Sequence, residues 1–596
     1  MVRRLRTNAL AHGDSRAFSF LHGPEGSLAD LSFAELDRLA GAVGGALVRE
    51  GNRERAPASD CVLLLFEPGL EFIVAFLGCL VAGRPAVPMR PPRTTLDQQW
   101  LQQVAQKVGA TCILVDQASY ARCVQAGTSQ QVLQCMQVLD WLGDAAVVDA
   151  FLRCRPDALP PQDSTAFVQF TSGSTGNPKG VVVKHGNVID NQRVIESAFG
   201  HGEHTTVVGW LPHYHDMGLI GNILQPIYLG RPCYLMSPMS FLQRPMRWLR
   251  VIAEHDHVTS GGPNFAYQHC LTSIAAGTLE EQPTLDLSRW RLAFVGAEPV
   301  RAKTMRDFSE RFAAFGFASG ALYPCYGLAE TTLMLTGGTA GQGVQRLSLD
   351  RRELDVGRVC VACEPHAQAV DVVACGVTRG ENEILVVDPD TGSELSEQQV
   401  GEIWARGPSV AAGYFEDDGA TAERFAAQPN LGRGPVGSPG AGHADPMGDR
   451  FLRTGDLGFV RDGQLFVTGR LSSLIILNGR NFYPHDFEAG VAGLHASFRA
   501  AGCAAFAVPT DAGEALVIVQ EVRGAMVAEL DLDKVLRAAR ARISSQFGVR
   551  LHDLALTTDV ILRTSSGKVR YHENRQRYID GHYRRPATAQ ERMEHA

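Results

Sequence analysis

The sequence predicts an α/β protein built from a large N-terminal domain and a small C-terminal domain. Apolar runs that fit buried strands alternate with helical segments over roughly the first half of the chain. Alternation of this kind implies parallel sheets covered by helices, with ligands at the carboxyl ends of the strands. The chain has 596 residues, 45% apolar and 20% charged, which allows a large core and several domains. A boundary near Arg470 separates the predicted N-terminal domain, 1–469, from a small C-terminal unit, 470–596.

The predicted elements follow in chain order. Ser32 and Glu35 fit a capping box that opens an amphipathic helix to about Arg49. Strands are predicted at 61–66, 111–115, 166–170, 206–211 and 292–296, and in the C-terminal unit at 473–477, 504–508 and 515–522. Helices are predicted at 72–82, 132–142, 245–255 and 532–547. The Gly- and Pro-rich segment 428–449 is predicted to be an exposed loop.

Charge and cysteine content exclude several classes of protein. A net charge of −8 gives no electrostatic case for nucleic acid binding. Thirteen cysteines without framework spacing indicate reduced thiols and a cytoplasmic location. The basic N-terminus leads into polar residues rather than the apolar core of a signal peptide. The longest apolar run, 72–83, is well short of the roughly 20 residues that a membrane helix needs, so we expect no stable membrane span.

A loop rich in glycine and hydroxyl residues follows the predicted strand 166–170. It reads T-S-G-S-T-G-N-P-K over 171–179. Glycines allow close backbone approach, and consecutive N–H groups in such a turn form a concavity for an anion. The spacing is not that of a Walker loop, and a mobile Gly/Ser turn is the alternative interpretation. The candidate phosphate-binding residues are Thr171, Ser172, Gly173, Ser174, Thr175, Gly176 and Lys179.

A second loop near the C-terminus carries a lysine in the sequence R-T-S-S-G-K, 563–568. Together the two loops resemble those of the adenylate-forming enzymes, which include acyl-CoA synthetases, luciferases and peptide-synthetase adenylation domains. The resemblance covers about residue 30 to about 575. It implies helix-covered sheets plus a small distorted barrel in the large domain, and a small mobile α+β lid. It also implies ATP and Mg²⁺ as cofactors, with Lys568 as the catalytic lysine.

The resemblance assigns roles to three motifs between the two loops. L-A-F-V-G-A-E-P at 292–299 matches the adenine-binding strand end, Y-P-C-Y-G-L-A-E at 323–330 matches the adenine-stacking and magnesium motif, and R-T-G-D at 453–456 matches the ribose motif. An oxygen ligand such as Glu330 is what Mg²⁺ favours, although an isolated glutamate is more often a solvated surface residue. The implied nucleotide-site residues are Gly296, Ala297, Glu298, Tyr326, Gly327, Glu330, Asp456 and Arg470.

The segment W-L-P-H-Y-H-D-M-G-L-I-G at 210–221 flanks the expected carboxylic-acid pocket. His213 and His215 could suggest a metal, but a third ligand and a motif such as H-E-x-x-H are missing. Orientation of the acyl end and plain packing are the better interpretations of these histidines. The candidate substrate residues are Tyr214, His215, Met217, Gly218 and Ile220.

Three features resemble one branch, the fatty acyl-AMP ligases. They are the 210–221 segment, G-R-N-F-Y-P-H-D-F-E at 479–488, and a branch-specific insertion at about 347–375. The resemblance implies activation of a fatty or related acid to acyl-AMP, then transfer to the phosphopantetheine thiol of an acyl carrier protein. The alternatives are an acyl-CoA synthetase and a non-catalytic acyl- or nucleotide-binding protein.

Two further features bear on the thiol step. The family usually has an acid at the hinge where this chain has Ser473, which makes rotation of the lid less certain than adenylation. A cluster of arginines near Lys568 could receive an acidic carrier protein, and a solvated basic face is the alternative. The arginines are Arg570, Arg575, Arg577, Arg584 and Arg585.

Overall fold

The structure is a computed structural model. It describes the whole chain except residues 24–26, 52–59, 173–177, 276–284, 364–368, 431–449, 511–512, 525, 527–529, 565–566 and 584–596. In the described residues no helix is both long enough and apolar enough to cross a membrane.

Helices and strands alternate through the first half of the chain. The helices are α1 Val2–Ala11, α2 Phe33–Gly51, α3 Leu70–Ala82, α4 Thr95–Lys107, α5 Gln117–Gln125, α6 Gln130–Leu133, α7 Ala145–Leu152, α8 His185–Phe199, α9 Gln225–Leu229, α10 Pro238–Gln243, α11 Pro245–Ala253, α12 Asn264–Ala275, α13 Ala302–Phe312, α14 Arg351–Leu354, α15 Asp418–Phe425, α16 Pro484–Val491, α17 Leu532–Phe547 and α18 Tyr571–Ile579. The strands are β1 Arg16–His22, β2 Ser27–Ser32, β3 Val62–Leu65, β4 Ala86–Met89, β5 Cys112–Val115, β6 Met136–Val138, β7 Thr165–Ser172, β8 Pro178–Lys184, β9 Thr206–Gly209, β10 Cys233–Met236, β11 Val258–Gly262, β12 Trp290–Val295, β13 Leu322–Tyr326, β14 Thr336–Gly337, β15 Arg346–Asp350, β16 Ala369–Val373, β17 Val377–Thr378, β18 Glu383–Val387, β19 Gly401–Arg406, β20 Leu452–Arg461, β21 Gln464–Arg470, β22 Ile475–Leu477, β23 Arg480–Phe482, β24 Phe498–Thr510, β25 Gly513–Val522 and β26 Leu551–Thr557.

Two large mixed sheets form the centre of the molecule. One has the strand order β17-β14-β13-β12-β11-β9-β10-β1-β2, and the other has the order β6-β5-β3-β4-β7-β8. Pairing from β13 to β1 is parallel, as is pairing from β6 to β7, while β2, β8, β14 and β17 run antiparallel to their neighbours. The α/β class with helix-covered sheets is therefore confirmed.

Helix α3 shows why the two sheets stay together. It is apolar on every side, and residues 72–81 are all buried. A helix that is hydrophobic all round must be enclosed by other elements. Its side chains belong to the largest core cluster, which joins residues of β1, β3, β7, β8 and β12 from both sheets. The apolar run 72–83 is thus a buried helix, as predicted.

Smaller sheets follow the large ones along the chain. Strands β18 to β21 form an antiparallel sheet of four strands, in the region where a distorted barrel was expected. The predicted insertion contains the antiparallel pair β15 and β16, with α14 after β15.

The described part of residues 475–583 has core clusters of its own. One unites β22, β24 and β25 with α16 and α17, and a second joins β24 and β25 to Tyr583. This unit contacts the insertion through two ion pairs. Arg351 pairs with Asp486 at 2.6 Å, and Arg480 pairs with Asp355, whose side chain is 2% exposed.

Several local predictions can be compared with the elements. The capping box is confirmed, since Ser32 N donates to Glu35 Oε2 at 2.9 Å and Glu35 N donates to Ser32 Oγ at 3.2 Å. The helix predicted at 132–142 is wrong, because α6 ends at Leu133 and is followed by strand β6, which extends the smaller sheet beside β5. The strand predicted at 473–477 forms only from Ile475 onward. Most of the loop predicted at 428–449 lies outside the described residues.

We predict that the folded state loses stability on mild acidification. Burial lowers the pKa of His185 and His201 to about 4 and that of His213 to about 3. Because the unfolded histidines bind protons near pH 6.5, the unfolded chain binds more protons between about pH 6.5 and 4, and stability falls as pH falls through that window. Burial also lowers the pKa of His215 to about 4 and lowers that of His255 and His485. Burial raises the pKa of Glu488 to about 7 and raises that of Glu298 and Asp355, which opposes the trend. The six imidazoles outnumber these three carboxyls.

The measurement is the thermal unfolding midpoint as a function of pH. His201→Gln removes one of the buried titrations and should flatten the acid side of the profile, whereas His572→Gln, at an exposed position, should leave the profile unchanged. A midpoint that stays level from pH 7 to pH 5 would contradict the prediction.

Candidate active site

The first candidate loop is the connection of a β-hairpin at the edge of the smaller sheet. Strands β7 and β8 pair antiparallel, with Thr171 opposite Lys179 and Ser172 opposite Pro178. Thr171 Oγ1 donates to the Lys179 carbonyl at 3.4 Å. The candidate residues Gly173, Ser174, Thr175 and Gly176 lie outside the described residues. The structure thus fixes the mouth of the loop and brings Thr171 and Lys179 together there.

The lysine at this mouth is linked to the candidate magnesium ligand through an aromatic ring. Lys179 Nζ lies 5.2 Å from the centroid of the Tyr414 ring, within cation–π range. The Tyr414 hydroxyl donates to Glu330 Oε1 at 2.9 Å. The Glu330 carbonyl accepts from Ala411 N at 2.9 Å, so both ends of this glutamate are held by the segment 411–414.

Tyr326, Asp456 and Arg470 form a second cluster, at the junction of the large sheet and the four-stranded sheet. The Tyr326 hydroxyl donates to Asp456 Oδ2 at 2.9 Å, and Arg470 Nε donates to Asp456 Oδ1 at 2.7 Å. Asp456 also stands opposite Arg470 in the β20–β21 ladder. The carboxylate raises the pKa of Arg470 further, and burial beside Asp456 raises the pKa of Tyr326. The three residues that the sequence assigned to nucleotide binding therefore meet.

The strand end that is predicted to bind adenine continues into a turn after β12. Gly296 is buried, and a Cβ atom there would lie 3.1 Å from the Cys325 carbonyl oxygen. Ala297 is exposed and adopts a positive φ of 66°, which non-glycine residues rarely do. Glu298 accepts a hydrogen bond from Phe265 N at 2.6 Å, in the first turn of α12. One oxygen of Glu298 is thus used for helix capping, a role that the sequence did not predict.

Gly327 lies between Tyr326 and the turn that carries Glu330. A Cβ atom at this position would be 1.6 Å from the Leu333 carbonyl oxygen. Two backbone segments pass each other here with no room for a side chain. This close approach sets the relative positions of the tyrosine and the glutamate.

The candidate acyl segment contains a π-helical stretch, Met217–Leu224. Such wide turns are rare and frequent at functional sites. Asp216 Oδ1 accepts from Met217 N at 2.7 Å at the start of this stretch. Met217 reaches the nucleotide side, since its Cε would be 3.7 Å from a Cβ atom at Gly296. The predicted acyl and adenine segments are therefore neighbours.

The remaining predicted substrate residues lie on the same segment. The Tyr214 carbonyl accepts from Gln169 Nε2 at 2.6 Å, which ties the segment to β7. Burial lowers the pKa of His215 to about 4, so its imidazole is neutral near pH 7. Gly218 and Ile220 are both buried.

Lys568 lies on a tight turn of the C-terminal unit. Thr564 N donates to the Lys568 carbonyl at 2.8 Å, and Lys568 N donates to Thr564 Oγ1 at 3.1 Å. Lys568 is exposed to solvent, and its ammonium group lies within electrostatic range of charged side chains in the N-terminal part of the chain. Desolvation and the neighbouring Arg470 lower the pKa of Lys568, while the carboxylates of Asp216, Asp456 and Glu298 oppose this. A lysine from the end of the chain therefore lies within electrostatic range of Asp216 in the acyl motif and Asp456 in the ribose motif.

Comparison with known proteins agrees with this geometry. The family model described as "AMP-binding enzyme" matches residues 5–415. The chain is 37% identical to the medium-chain-fatty-acid–[acyl-carrier-protein] ligase JamA of Moorena producens, over 95% of this chain and 93% of the relative. It is 32% identical to the long-chain-fatty-acid–AMP ligase FadD32 of Mycolicibacterium smegmatis, over 98% and 95% respectively.

The chain belongs to the AMP-binding enzyme family. A crystal structure of a fatty acid AMP ligase from Legionella pneumophila superposes with a TM-score of 0.73 at 34% identity, covering 98% of this chain and 97% of that one. A second structure of an L. pneumophila fatty acyl-adenylate ligase, in complex with acyl adenylate and pyrophosphate, gives 0.72 at 34%, covering 97% and 96%. The predicted resemblance to the fatty acyl-AMP ligase branch is thus confirmed over nearly the whole chain, and this member is an adenylate-forming ligase.

Two residues of this AMP-binding enzyme were missed in the sequence. Tyr414, which joins Lys179 to Glu330, lies in no motif that we used, and its role depends on contacts with residues far from it in sequence. Asp216 stood within the quoted acyl segment but was given no role, although it lies within electrostatic range of Lys568. Its position directly after His215, in the segment predicted to flank the carboxylic-acid pocket, was the available signal.

The residues present are compatible with Mg²⁺ beside the phosphates. Glu330 offers a carboxylate at the mouth of the β7–β8 hairpin, where phosphate oxygens are expected. A hard cation prefers such oxygen ligands and shares them with phosphates. We therefore keep Glu330 as the residue that would hold the ion.

Gly327→Ala should nearly abolish adenylation by this enzyme. The added methyl group overlaps a backbone oxygen that cannot rotate away, so the chain bearing Tyr326 and Glu330 must shift. Misplacement of about 1 Å can cost about a hundredfold in rate. The measurement is ATP–pyrophosphate exchange with a fatty acid.

Gly338→Ala is the matched control, because the nearest atom to its Cβ would be 3.8 Å away and its φ is not positive. It should keep near wild-type exchange. Normal exchange by Gly327→Ala would show that the close approach at Leu333 does not set the site geometry.

Proposed function

We propose that this protein converts a fatty or related carboxylic acid to acyl-AMP with ATP, releasing pyrophosphate, and then passes the acyl group to the phosphopantetheine thiol of an acyl carrier protein. What carries the proposal is that Lys568 lies within electrostatic range of Asp216, Asp456 and Glu298. Two relatives, 37% and 32% identical to this chain, are both named medium-chain-fatty-acid–[acyl-carrier-protein] ligases, and they support the same substrate class and partner.

Activation is needed because a carboxylate has a poor leaving group. In the proposed first step a carboxylate oxygen attacks the α-phosphorus of ATP in line, and the bond to pyrophosphate breaks. Positioning and charge stabilisation are the main requirements for such a transfer. Lys179 would neutralise the β- and γ-phosphates at the hairpin mouth, and Lys568 would lie against the charge that develops on the α-phosphate and carboxylate.

The nucleoside would be held by the Tyr326–Asp456–Arg470 cluster. Asp456 accepts from Tyr326 and Arg470, and a carboxylate has further lone pairs for the two ribose hydroxyls. Gly296 and Tyr326 would contact adenine. Mg²⁺, if bound at Glu330, would supply further neutralisation of the phosphates.

In the second step the thiolate of the carrier attacks the acyl carbonyl, and AMP leaves. We propose that residues 470–596 act as a mobile lid domain that turns to admit this thiol. The Ser473 hydroxyl donates to the Arg470 carbonyl at 3.3 Å, a contact that an aspartate at this position could not make as a donor. The proposed rotation of the lid would therefore take place without the acid that the family usually has at this hinge.

The arginines suggested for carrier docking are partly engaged within their own unit. Arg570 pairs with Glu573 at 2.5 Å, and Arg575 Nε donates to the Ala507 carbonyl at 2.8 Å. Arg577 lies 4.9 Å from the centroid of the Tyr583 ring, and Arg584 and Arg585 are outside the described residues. A cytoplasmic location also stays a proposal, supported by thirteen free thiols.

Lys568→Ala should reduce ATP–pyrophosphate exchange by about a hundredfold to a thousandfold, since one preorganised charge at the reacting centre is lost. Lys534→Ala, on the exposed side of α17 in the same unit, is the control and should exchange like the wild type. Equal exchange by both variants would exclude Lys568 from the reaction. No exchange by the wild type with acids of any chain length would favour the non-catalytic binding alternative.

The acceptor thiol distinguishes the proposed ligase from an acyl-CoA synthetase. With ATP and a fatty acid, the enzyme should acylate a phosphopantetheinylated carrier protein faster than it acylates coenzyme A, as measured by mass spectrometry of the thioesters. Faster thioester formation on coenzyme A would favour the synthetase. Exchange without transfer to either thiol would place the defect in the second step.

A further inference from the structure

A small cavity lies between α3 and the strands β1 and β10 of the larger sheet, next to the candidate acyl segment. Its volume is about 20 Å³, which is enough for one water-sized group. Most of the described side chains that line it are apolar, among them Phe20, Ile73 and Leu235. The polar ones are His213 and Asn222.

Both polar side chains are deeply buried and carry atoms that have no hydrogen-bond partner within the described residues. Asn222 is 1% exposed, and neither its Nδ2 nor its Oδ1 atom has a hydrogen-bond partner. His213 is 5% exposed, and its Nε2 atom also has none. An unsatisfied buried polar group costs about 1–3 kcal/mol, so groups of this kind are normally bonded to water or ligand.

The hydrogen-bonding state of His213 defines what could fill the cavity. Burial lowers the pKa of the imidazole to about 3, and a hydrogen bond to the backbone of Phe66 opposes that shift, as expected when the ring donates to a carbonyl. The ring is further fixed by Phe72, whose centroid is 4.0 Å away. With Nδ1 as the donor, Nε2 of the neutral ring is a bare acceptor.

The complementary group must therefore donate to His213 and can accept from Asn222 Nδ2. A hydroxyl does both, whereas a carbonyl oxygen has no proton to give and an apolar chain end satisfies neither residue. A carboxylate would also bring an unpaired charge into an apolar enclosure.

The cavity adjoins the residues predicted to bind the acyl substrate. Strands β3, β9 and β10 end beside it, and the carboxyl ends of strands are where ligands bind in such folds. Gly218, a candidate substrate residue, forms part of its wall. His213 is two positions before His215, whose electrostatic neighbours include Lys568.

We infer that His213 and Asn222 form a subsite for a hydroxyl group on the acyl chain, so that the preferred substrates are hydroxylated fatty acids. The inference rests on the proposed function, since it concerns the acid that is adenylated. An unsubstituted acyl chain would be the poorer ligand, because it would leave the buried Nε2 atom of His213 and the amide of Asn222 without hydrogen bonds.

The test is the kcat/KM for ATP–pyrophosphate exchange with pairs of acids of equal chain length. One member of each pair is unsubstituted, and the other carries one hydroxyl, which is moved a carbon at a time along the chain. We expect one position to be preferred over its parent acid by about tenfold or more. Exchange with no hydroxy acid favoured at any position would overturn the inference, while leaving the proposed adenylation intact.

Variants then locate the preference. His213→Leu and Asn222→Leu should each reduce the ratio of hydroxylated to unsubstituted kcat/KM about tenfold, which a general loss of folding would not do. Gln225→Leu is the matched control, since Gln225 is also buried with an unpartnered Oε1 but does not line the cavity. An equal loss on both acids, or an unchanged ratio in His213→Leu, would show that the cavity holds only a structural water.

Discussion

The carboxylate of Asp456 is the constraint on which the site depends. It lies on β20 of the four-stranded sheet, accepts from Tyr326 at the end of β13 in the large sheet, and accepts from Arg470 at the end of β21. One buried side chain thus joins two sheets and the start of the C-terminal unit. A shift of either sheet would leave a buried carboxylate with an unpaired oxygen, which is far more costly than losing a surface ion pair.

The charged groups around the candidate site neutralise one another when no nucleotide is bound. Lys568 lies within electrostatic range of the carboxylates of Asp216, Asp456 and Glu298. Lys179 lies over the ring of Tyr414, whose hydroxyl donates a hydrogen bond to Glu330. These carboxylates offset the electrostatic cost of holding several cations in one cleft. In the proposed function a triphosphate would bring stronger negative charge and would compete with these carboxylates for the two lysines. Binding of ATP would then replace internal neutralisation by neutralisation at the proposed reacting centre.

Much of the fold and of the candidate site could be predicted because short stretches of sequence indicate both of them. Buried strands such as 166–170 are short apolar runs, and the loops that follow them carry the chemistry. The misassigned 132–142 segment shows the limit, because β6 forms there only by pairing with β5. Tyr414 was missed for the same reason, since it meets Glu330 across 84 positions of sequence. Glu298 belongs to a nucleotide motif, but its bond to Phe265 depends on how α12 packs.

The predicted insertion would bear on the proposed thiol step through its contacts with the C-terminal unit. Arg351 and Asp355 pair with Asp486 and Arg480, and Asn481 N donates to the Asp355 carbonyl at 2.7 Å. If the unit turns, all of these contacts separate. Two charged groups that separate into water are hydrated again. Separating an ion pair therefore costs much less free energy than removing one partner while the other stays buried. The backbone bond is likewise replaced by bonds to water, whereas the cation–π contact of Arg351 with the Phe547 ring is lost. The insertion should therefore bias the unit toward the adenylating position without locking it there, and the identity of residue 473 then affects how readily the chain turns once those contacts are released.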